Sequence, residues 1–144
     1  MNLVRYVFFF SLVIGGSVYA QDMEENNVYA DETLARETTL NNLNEKNDFK
    51  NYARKRVLDV WNSDKYVDAL FWIIQKESKW NPLAQNKDSS AYGIGQFLNK
   101  TWKITGYKKT PNPYIQIDAM IVYVKKTHGN PISAKNSHRK KGWY

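Results

Sequence analysis

The stretch Tyr66-Val67-Asp68-Ala69-Leu70-Phe71-Trp72-Ile73-Ile74-Gln75-Lys76-Glu77 decides how the chain reads. Leu70, Ile73, Ile74 and Glu77 fall at i, i+3, i+4 and i+7, which predicts an amphipathic helix whose apolar stripe ends in a carboxylate. Desolvation disfavours the charged form of a carboxyl held against apolar neighbours. A Glu so placed keeps its proton near neutral pH and can serve as a general acid. The plainer alternative is a helix-end Glu leaning into solvent.

Working outward, Ser63 and Asp64 are natural caps for this helix, and Asn81-Pro82 stops its continuation. On the N-terminal side, Phe49, Tyr52, Ala53, Arg56, Val57, Val60 and Trp61 keep helical spacing and predict a helix over 49–61. On the C-terminal side, a polar loop leads into Ala91-Tyr92-Gly93-Ile94-Gly95-Gln96, whose glycines call for tight backbone geometry or a close ligand. A short helix is expected from Phe97 to Ile104. Asn112 and Pro113 then open a stronger one carrying Ile117, Met120, Ile121 and Val124 on one face. Gly129 and Pro131 end that helix, and Ser133 to Lys141 forms a weak last one. No alternating strand pattern of useful length appears. The expected fold is mainly α.

The charge is unevenly spread. Residues 21–48 carry eight acidic side chains against two basic ones, net −6, and few large apolar residues. They read as an acidic, flexible leader, disordered or loosely helical. Residues 49–144 carry eighteen basic side chains against six acidic, net +12, and all five tryptophans. This part reads as the folded domain, near the lower size limit for a single hydrophobic core. The chain has no cysteine, so the core must hold without disulfides, and the tryptophans supply much of its apolar burial.

Residues 1–20 read as a signal peptide. Arg5 supplies the positive region, Val7 to Gly16 an apolar stretch, and Val18-Tyr19-Ala20 a small-residue cleavage site. The apolar stretch is too short to span a bilayer comfortably. The expectation is export to the periplasm, cell envelope or exterior, without stable membrane insertion once the signal is cut. A retained anchor on the outer face of the inner membrane is the competing reading. The basic domain calls for a polyanionic neighbour, and export favours an anionic envelope polymer over nucleic acid.

From Glu77 to Tyr123 the chain resembles the lysozyme-like lytic transglycosylases, the soluble lytic transglycosylase and goose-type lysozyme group that acts on peptidoglycan. Three pieces carry the resemblance in order. Glu77-Ser78 with Trp80-Asn81-Pro82-Leu83-Ala84 resembles the family's Glu-Ser motif. Ala91-Tyr92-Gly93-Ile94-Gly95-Gln96-Phe97, followed by Thr101-Trp102, resembles its Gly-Leu-Met-Gln segment. Gln116-Ile117 and Tyr123-Val124 resemble its late helix motif, and Gly142-Trp143-Tyr144 resembles the ends of small secreted members. The chain departs from the pattern at Met120 (commonly Gly), Gln116 (Asn) and Asn99 (Pro).

The resemblance implies a monomeric lysozyme-like domain with Glu77 as its sole catalytic acid and base, no cofactor, and peptidoglycan glycan strands as partner. Glu77 would protonate the oxygen joining N-acetylmuramic acid to N-acetylglucosamine. It would then take the proton of the muramoyl 6-hydroxyl, which closes into a 1,6-anhydro end. A nucleophile tethered within the substrate suits a single carboxylate, whereas a hydrolase normally needs a second. Within the motif region only Asp88 and Asp118 remain. Asp88 reads as a turn residue, and Asp118 lies off the apolar face of its helix, where it is expected to be solvated.

Gln96 and Tyr123 match the family's substrate-binding glutamine and the tyrosine near the acid, although spacing alone lets Tyr123 be core. Ser78 is expected to bond Glu77, the substrate, or only the helix end as a cap. Tyr92 and Trp102 are candidates to stack on sugars or to fill the core. His128 and His138 lie ten positions apart with no cysteine or carboxylate pair nearby, which does not make a metal site. The alternatives to a transglycosylase are a muramidase and a non-catalytic wall-binding protein of the same fold.

Overall fold

A computed structural model describes the backbone of residues 18–144 and the side chains of residues 30–144. The chain is mainly α: α1 Val18–Trp61, α2 Asp64–Glu77, α3 Asn99–Thr105, α4 Pro113–His128 and α5 Pro131–Lys141. Among the described residues there is no strand beyond the isolated antiparallel bridges Gln85 to Tyr92 and Tyr92 to Phe97. No helix of the described residues is long and apolar enough to cross a membrane. The expected signal segment lies outside the described residues except for Val18, Tyr19 and Ala20, whose backbone opens α1.

The chain divides between Asn41 and Asn42 into two units. In the first, residues 18–41 are helical and the side chains from Ala30 to Asn41 are exposed. Residues 21–48, the span of the expected acidic leader, are helical. No Gly or Pro interrupts residues 21–61, and Glu, Leu, Ala and Arg are good helix formers. Thr38 and Thr39 turn their hydroxyls onto the carbonyls of Leu34 and Ala35, at 2.8 Å each.

In the second unit the expected stripes become the core. Phe49, Ala53 and Val57 of α1 are buried, as are Val67, Leu70, Ile73 and Ile74 of α2 and Ile117, Met120 and Val124 of α4. Each large aliphatic side chain so buried contributes about 1.5–3 kcal/mol. α2 packs on α5, and α4 packs on both α3 and α5. Asn112 caps α4 as expected, its side chain accepting from the N–H groups of Tyr114 and Ile115 at 2.9 and 3.3 Å.

Pro131, expected to terminate α4, instead opens α5. Asn130 accepts from Ser133 N–H at 3.0 Å, and Pro at the first helical position lacks only a donor that would have no helical partner anyway. Gly129 ends α4 and the Asn-Pro pair restarts the chain two residues later.

Asp118 is not solvated. It receives the Arg56 Nε–H at 2.8 Å and the Tyr52 hydroxyl at 2.9 Å. Lying off the apolar stripe of α4, it faces α1, where a half-buried cation and phenol are waiting. The pair ties the two helices together and takes Asp118 out of contention as a catalytic group.

Candidate active site

Glu77 is the last residue of α2, and the backbone beyond it is tightly bent. Ser78 caps the helix through its N–H to the carbonyl of Ile74, at 3.1 Å. Lys79 and Trp80 follow in the left-handed region, with φ of 53° and 68°. Burial of the Trp80 ring against Phe71, edge-on at 4.7 Å, holds a conformation that non-glycine residues adopt at a cost of about 1–3 kcal/mol.

The two-glycine segment folds into a tight loop closed by reciprocal backbone bonds between Tyr92 and Phe97, at 3.2 and 3.1 Å. Both glycines are dictated by close approach. Gly93 has φ of +78°, and a Cβ there would sit 2.5 Å from the Gln116 side-chain oxygen. A Cβ on Gly95 would sit 2.8 Å from the Tyr144 hydroxyl, which donates to the Gly95 carbonyl at 3.0 Å.

Two side-chain bonds set this loop against the end of α2. Ser78 Oγ donates to the Ile94 carbonyl at 2.9 Å. From α4, buried Gln116 accepts from the Ile94 N–H at 2.8 Å and donates to the carbonyls of Pro82 and Thr110, at 2.9 and 2.7 Å. One amide therefore ties together three separate stretches of loop. Ser78 is thus occupied by backbone rather than by Glu77.

A cleft of about 580 Å³ opens beside the loop. Glu77, Gln96 and Tyr123, three of the residues singled out from sequence, line it together. Gln96 is held with φ of +47° while its Nε2 donates to the carbonyls of Ala84 and Gly93, at 3.0 and 2.9 Å. Tyr92 does not line the cleft. Its ring lies under the Lys109 ammonium, 4.7 Å from the centroid. Trp102 is core, edge-on to Phe97 at 5.5 Å. Asp88 sits on an exposed turn, its N–H held by Asn86. Glu77 is the only acidic side chain on the walls of the cleft among the described residues.

The C-terminal segment supplies what the sequence reading missed. Gly142, Trp143 and Tyr144 form part of the cleft wall, with Trp143 58% exposed on it. The Tyr123 hydroxyl donates to the Tyr144 carbonyl at 3.1 Å, and the two rings meet edge-on at 5.8 Å. His138 of α5 places Nε2 2.9 Å from Oε1 of Glu77, with side chains 15% and 17% exposed. Spacing could not find this contact, because His138 and Glu77 meet only through the packing of α5 on α2.

Burial raises the Glu77 carboxyl above the ordinary glutamate range, and the charge and hydrogen bond of His138 only partly oppose it. Burial likewise raises the Tyr123 phenol. Tyr144 is driven well above the usual tyrosine value, first by burial and then by the Glu77 charge. Both hydroxyls therefore stay protonated as donors near neutral pH. The site holds a carboxyl raised by burial, in a cleft with an exposed aromatic, an amide and hydroxyls, a set suited to a bound, uncharged polyol. Among the described residues no group of three His, Cys, Asp or Glu is placed to hold a metal ion.

Residues 60–130 match the family model of the transglycosylase SLT domain.

The matched span is just under half of the chain and runs from the end of α1 through α4. It contains Glu77, the two-glycine loop, Gln116 and Tyr123. The match supports the resemblance to the lysozyme-like lytic transglycosylases and points to a peptidoglycan-acting domain. His138, Trp143 and Tyr144 fall beyond the matched span. No curated protein and no solved structure matches the chain significantly.

Proposed function

We propose that the protein is a peptidoglycan lytic transglycosylase, of the soluble and goose-type lysozyme-like group, with Glu77 as its single general acid and base. The observation that carries this reading is one half-buried carboxyl, raised by desolvation, on a cleft with no second acid among its lining residues. In its neutral form Glu77 gives its proton to the oxygen between N-acetylmuramic acid and N-acetylglucosamine, and the bond from that oxygen to the muramoyl anomeric carbon breaks. The muramoyl 6-hydroxyl closes on that carbon, and the Glu77 carboxylate takes the hydroxyl proton. Acid and base are one residue, restored at the end of the cycle.

Exposed Trp143 gives the cleft aromatic surface for an N-acetylated glycan, and Tyr123 and Gln96, whose O–H and N–H groups are turned to backbone carbonyls, offer it their oxygens as acceptors. The net charge of +12 over residues 49–144 favours binding to an anionic wall, and this binding weakens as salt screens it. The protein acts as an exported monomer in the periplasm or cell envelope, with no cofactor.

Mass spectrometry of soluble fragments released from purified peptidoglycan tests the reading. Anhydro-muramoyl ends are expected, and they disappear in Glu77→Gln with the fold intact. Reducing muramoyl ends, heavier by one water, would instead identify a muramidase. A folded wild type that sediments with wall but releases nothing would identify a binding protein.

A further inference from the structure

The His138 contact lies outside the span matched by the family model, and nothing in the single-carboxylate scheme requires it. The imidazole is nonetheless firmly held. Tyr144 stacks on it at 6.3 Å and 29°, Trp72 meets it edge-on at 5.3 Å and 86°, and it is 15% exposed. Packing on two sides fixes the ring, with Nε2 2.9 Å from Oε1 of Glu77.

Among the described residues Oε1 is the only Glu77 oxygen that a side chain engages. Oε2 is left for the cleft. We propose that His138 is a positioning residue for Glu77. Its Nε2–H holds Oε1, orients Oε2 toward the bound glycan, and stabilises the carboxylate formed each time Glu77 releases its proton.

No extra proton is consumed. With a hydrogen on His138 Nε2, Glu77 carries its own proton on Oε2. When that proton passes to the leaving oxygen, negative charge develops on the carboxylate and the Nε2–H···Oε1 bond becomes charge-assisted, roughly twice as strong as its neutral form. When Oε2 recovers a proton from the 6-hydroxyl, the bond relaxes. A donor that strengthens only as charge develops favours the transition state over the ground state.

The other groups facing the pair do not replace it. Tyr144 and Tyr123 direct their hydroxyls to backbone carbonyls, of Gly95 and Tyr144 respectively. His128 of α4 faces the far ring, Tyr144, at 6.5 Å. Lys76 of α2 and Lys135 of α5 lie over the Trp72 ring. Lys100 of α3 stands on the cleft wall, and Lys141 at the end of α5 acts on His128.

This inference rests on the proposed function, and its test separates the two. Lytic rate on purified peptidoglycan is measured from pH 4.5 to 9 for wild type, His138→Ala and His138→Gln, alongside ¹³C NMR titration of the Glu77 side-chain carboxyl, assigned through Glu77→Gln. In His138→Ala, kcat falls roughly 10- to 100-fold, the scale of losing an outer-shell partner, with KM little changed. Burial is then unopposed, so the alkaline limb of the rate profile and the carboxyl midpoint both move to higher pH. His138→Gln, whose amide N–H can still reach Oε1, recovers most of the rate.

Equal loss in the Ala and Gln variants, or an unmoved alkaline limb, would reduce His138 to packing and overturn the inference. If the wild type proves non-lytic, it is the functional reading that fails. The carboxyl titration then still decides: an unmoved midpoint in His138→Ala refutes the contact's role in setting the charge of Glu77.

Discussion

The Gly93–Gln116 contact offers the sharpest check on how the site is built, through a double-mutant cycle of Gly93→Ala and Gln116→Asn. Gly93→Ala places a methyl where φ is +78°, costing about 1–2 kcal/mol in left-handed backbone. The same methyl would lie 2.5, 2.6 and 2.8 Å from Oε1, Cδ and Nε2 of Gln116. That amide cannot swing aside freely, because it makes three bonds to buried or half-buried backbone. Moving it breaks at least one, at about 1–3 kcal/mol. The single variant should therefore lose about 2–5 kcal/mol.

Gln116→Asn withdraws the amide by one carbon–carbon bond, about 1.5 Å, so it cannot span Ile94, Pro82 and Thr110 together. It too should lose about 1–3 kcal/mol. With the amide withdrawn, the methyl at residue 93 has room. The double variant then keeps the backbone strain without the clash, and its loss falls short of the sum by about 1–3 kcal/mol. Urea unfolding followed by tryptophan fluorescence measures all four proteins, with Trp80 and Trp102 both buried as reporters. Additivity within about 0.5 kcal/mol, the behaviour of independent sites, would refute the steric account of this loop.

Three further outcomes are expected. Glu77→Gln removes a carboxyl whose folded value is raised. The wild type holds this stabilising contribution below the ordinary glutamate range and loses it as pH rises through the raised value. The variant should therefore gain stability relative to wild type at pH 8 compared with pH 4, read as the difference in Tm at the two pH values, while lytic activity is lost. Ser78→Ala deletes the 2.9 Å bond to the Ile94 carbonyl. It should cost about 0.5–1.5 kcal/mol in urea unfolding and leave KM nearly unchanged, whereas a large rise in KM would return Ser78 to the substrate. Asp118→Ala takes from half-buried Arg56 the nearer of its two carboxylates, leaving Asp59 at 3.6 Å, and should cost about 1–3 kcal/mol in thermal unfolding, with reaction products of unchanged chemistry.

Much of the architecture was legible because helix periodicity is a local signal. The stripes at 49–61, 67–74 and 117–124 each named a buried face, and Asn112-Pro113 marked a helix start to the residue. The regularity of the acidic leader was less legible. Its composition lacks a face to bury, and only the absence of Gly and Pro spoke for helix. Pro131 was misread because the same residue ends one helix and opens the next, and only the Asn130 bond to Ser133 N–H distinguishes the two. Asp118 was misread because position on a helix says which residues leave the apolar stripe, but not whether another helix covers them.

Local spacing alone establishes that the chain is helical, that Glu77 closes an apolar stripe, and that it heads a series of motifs leading through Gln96 to Tyr123. These follow from spacing along one chain, which fixes which residues share a helix face or a loop. Tertiary structure alone decided that Glu77, Gln96 and Tyr123 share a cleft while Ser78 and Tyr92 do not. It also decided that Gln116 is a strut and that His138 and Tyr144 close on the carboxyl from α5 and its end. His138 lies sixty-one positions beyond Glu77, and no period of helix or strand relates the two. Their meeting depends on the packing of α5 on α2, where burial raises the carboxyl and a single imidazole answers it.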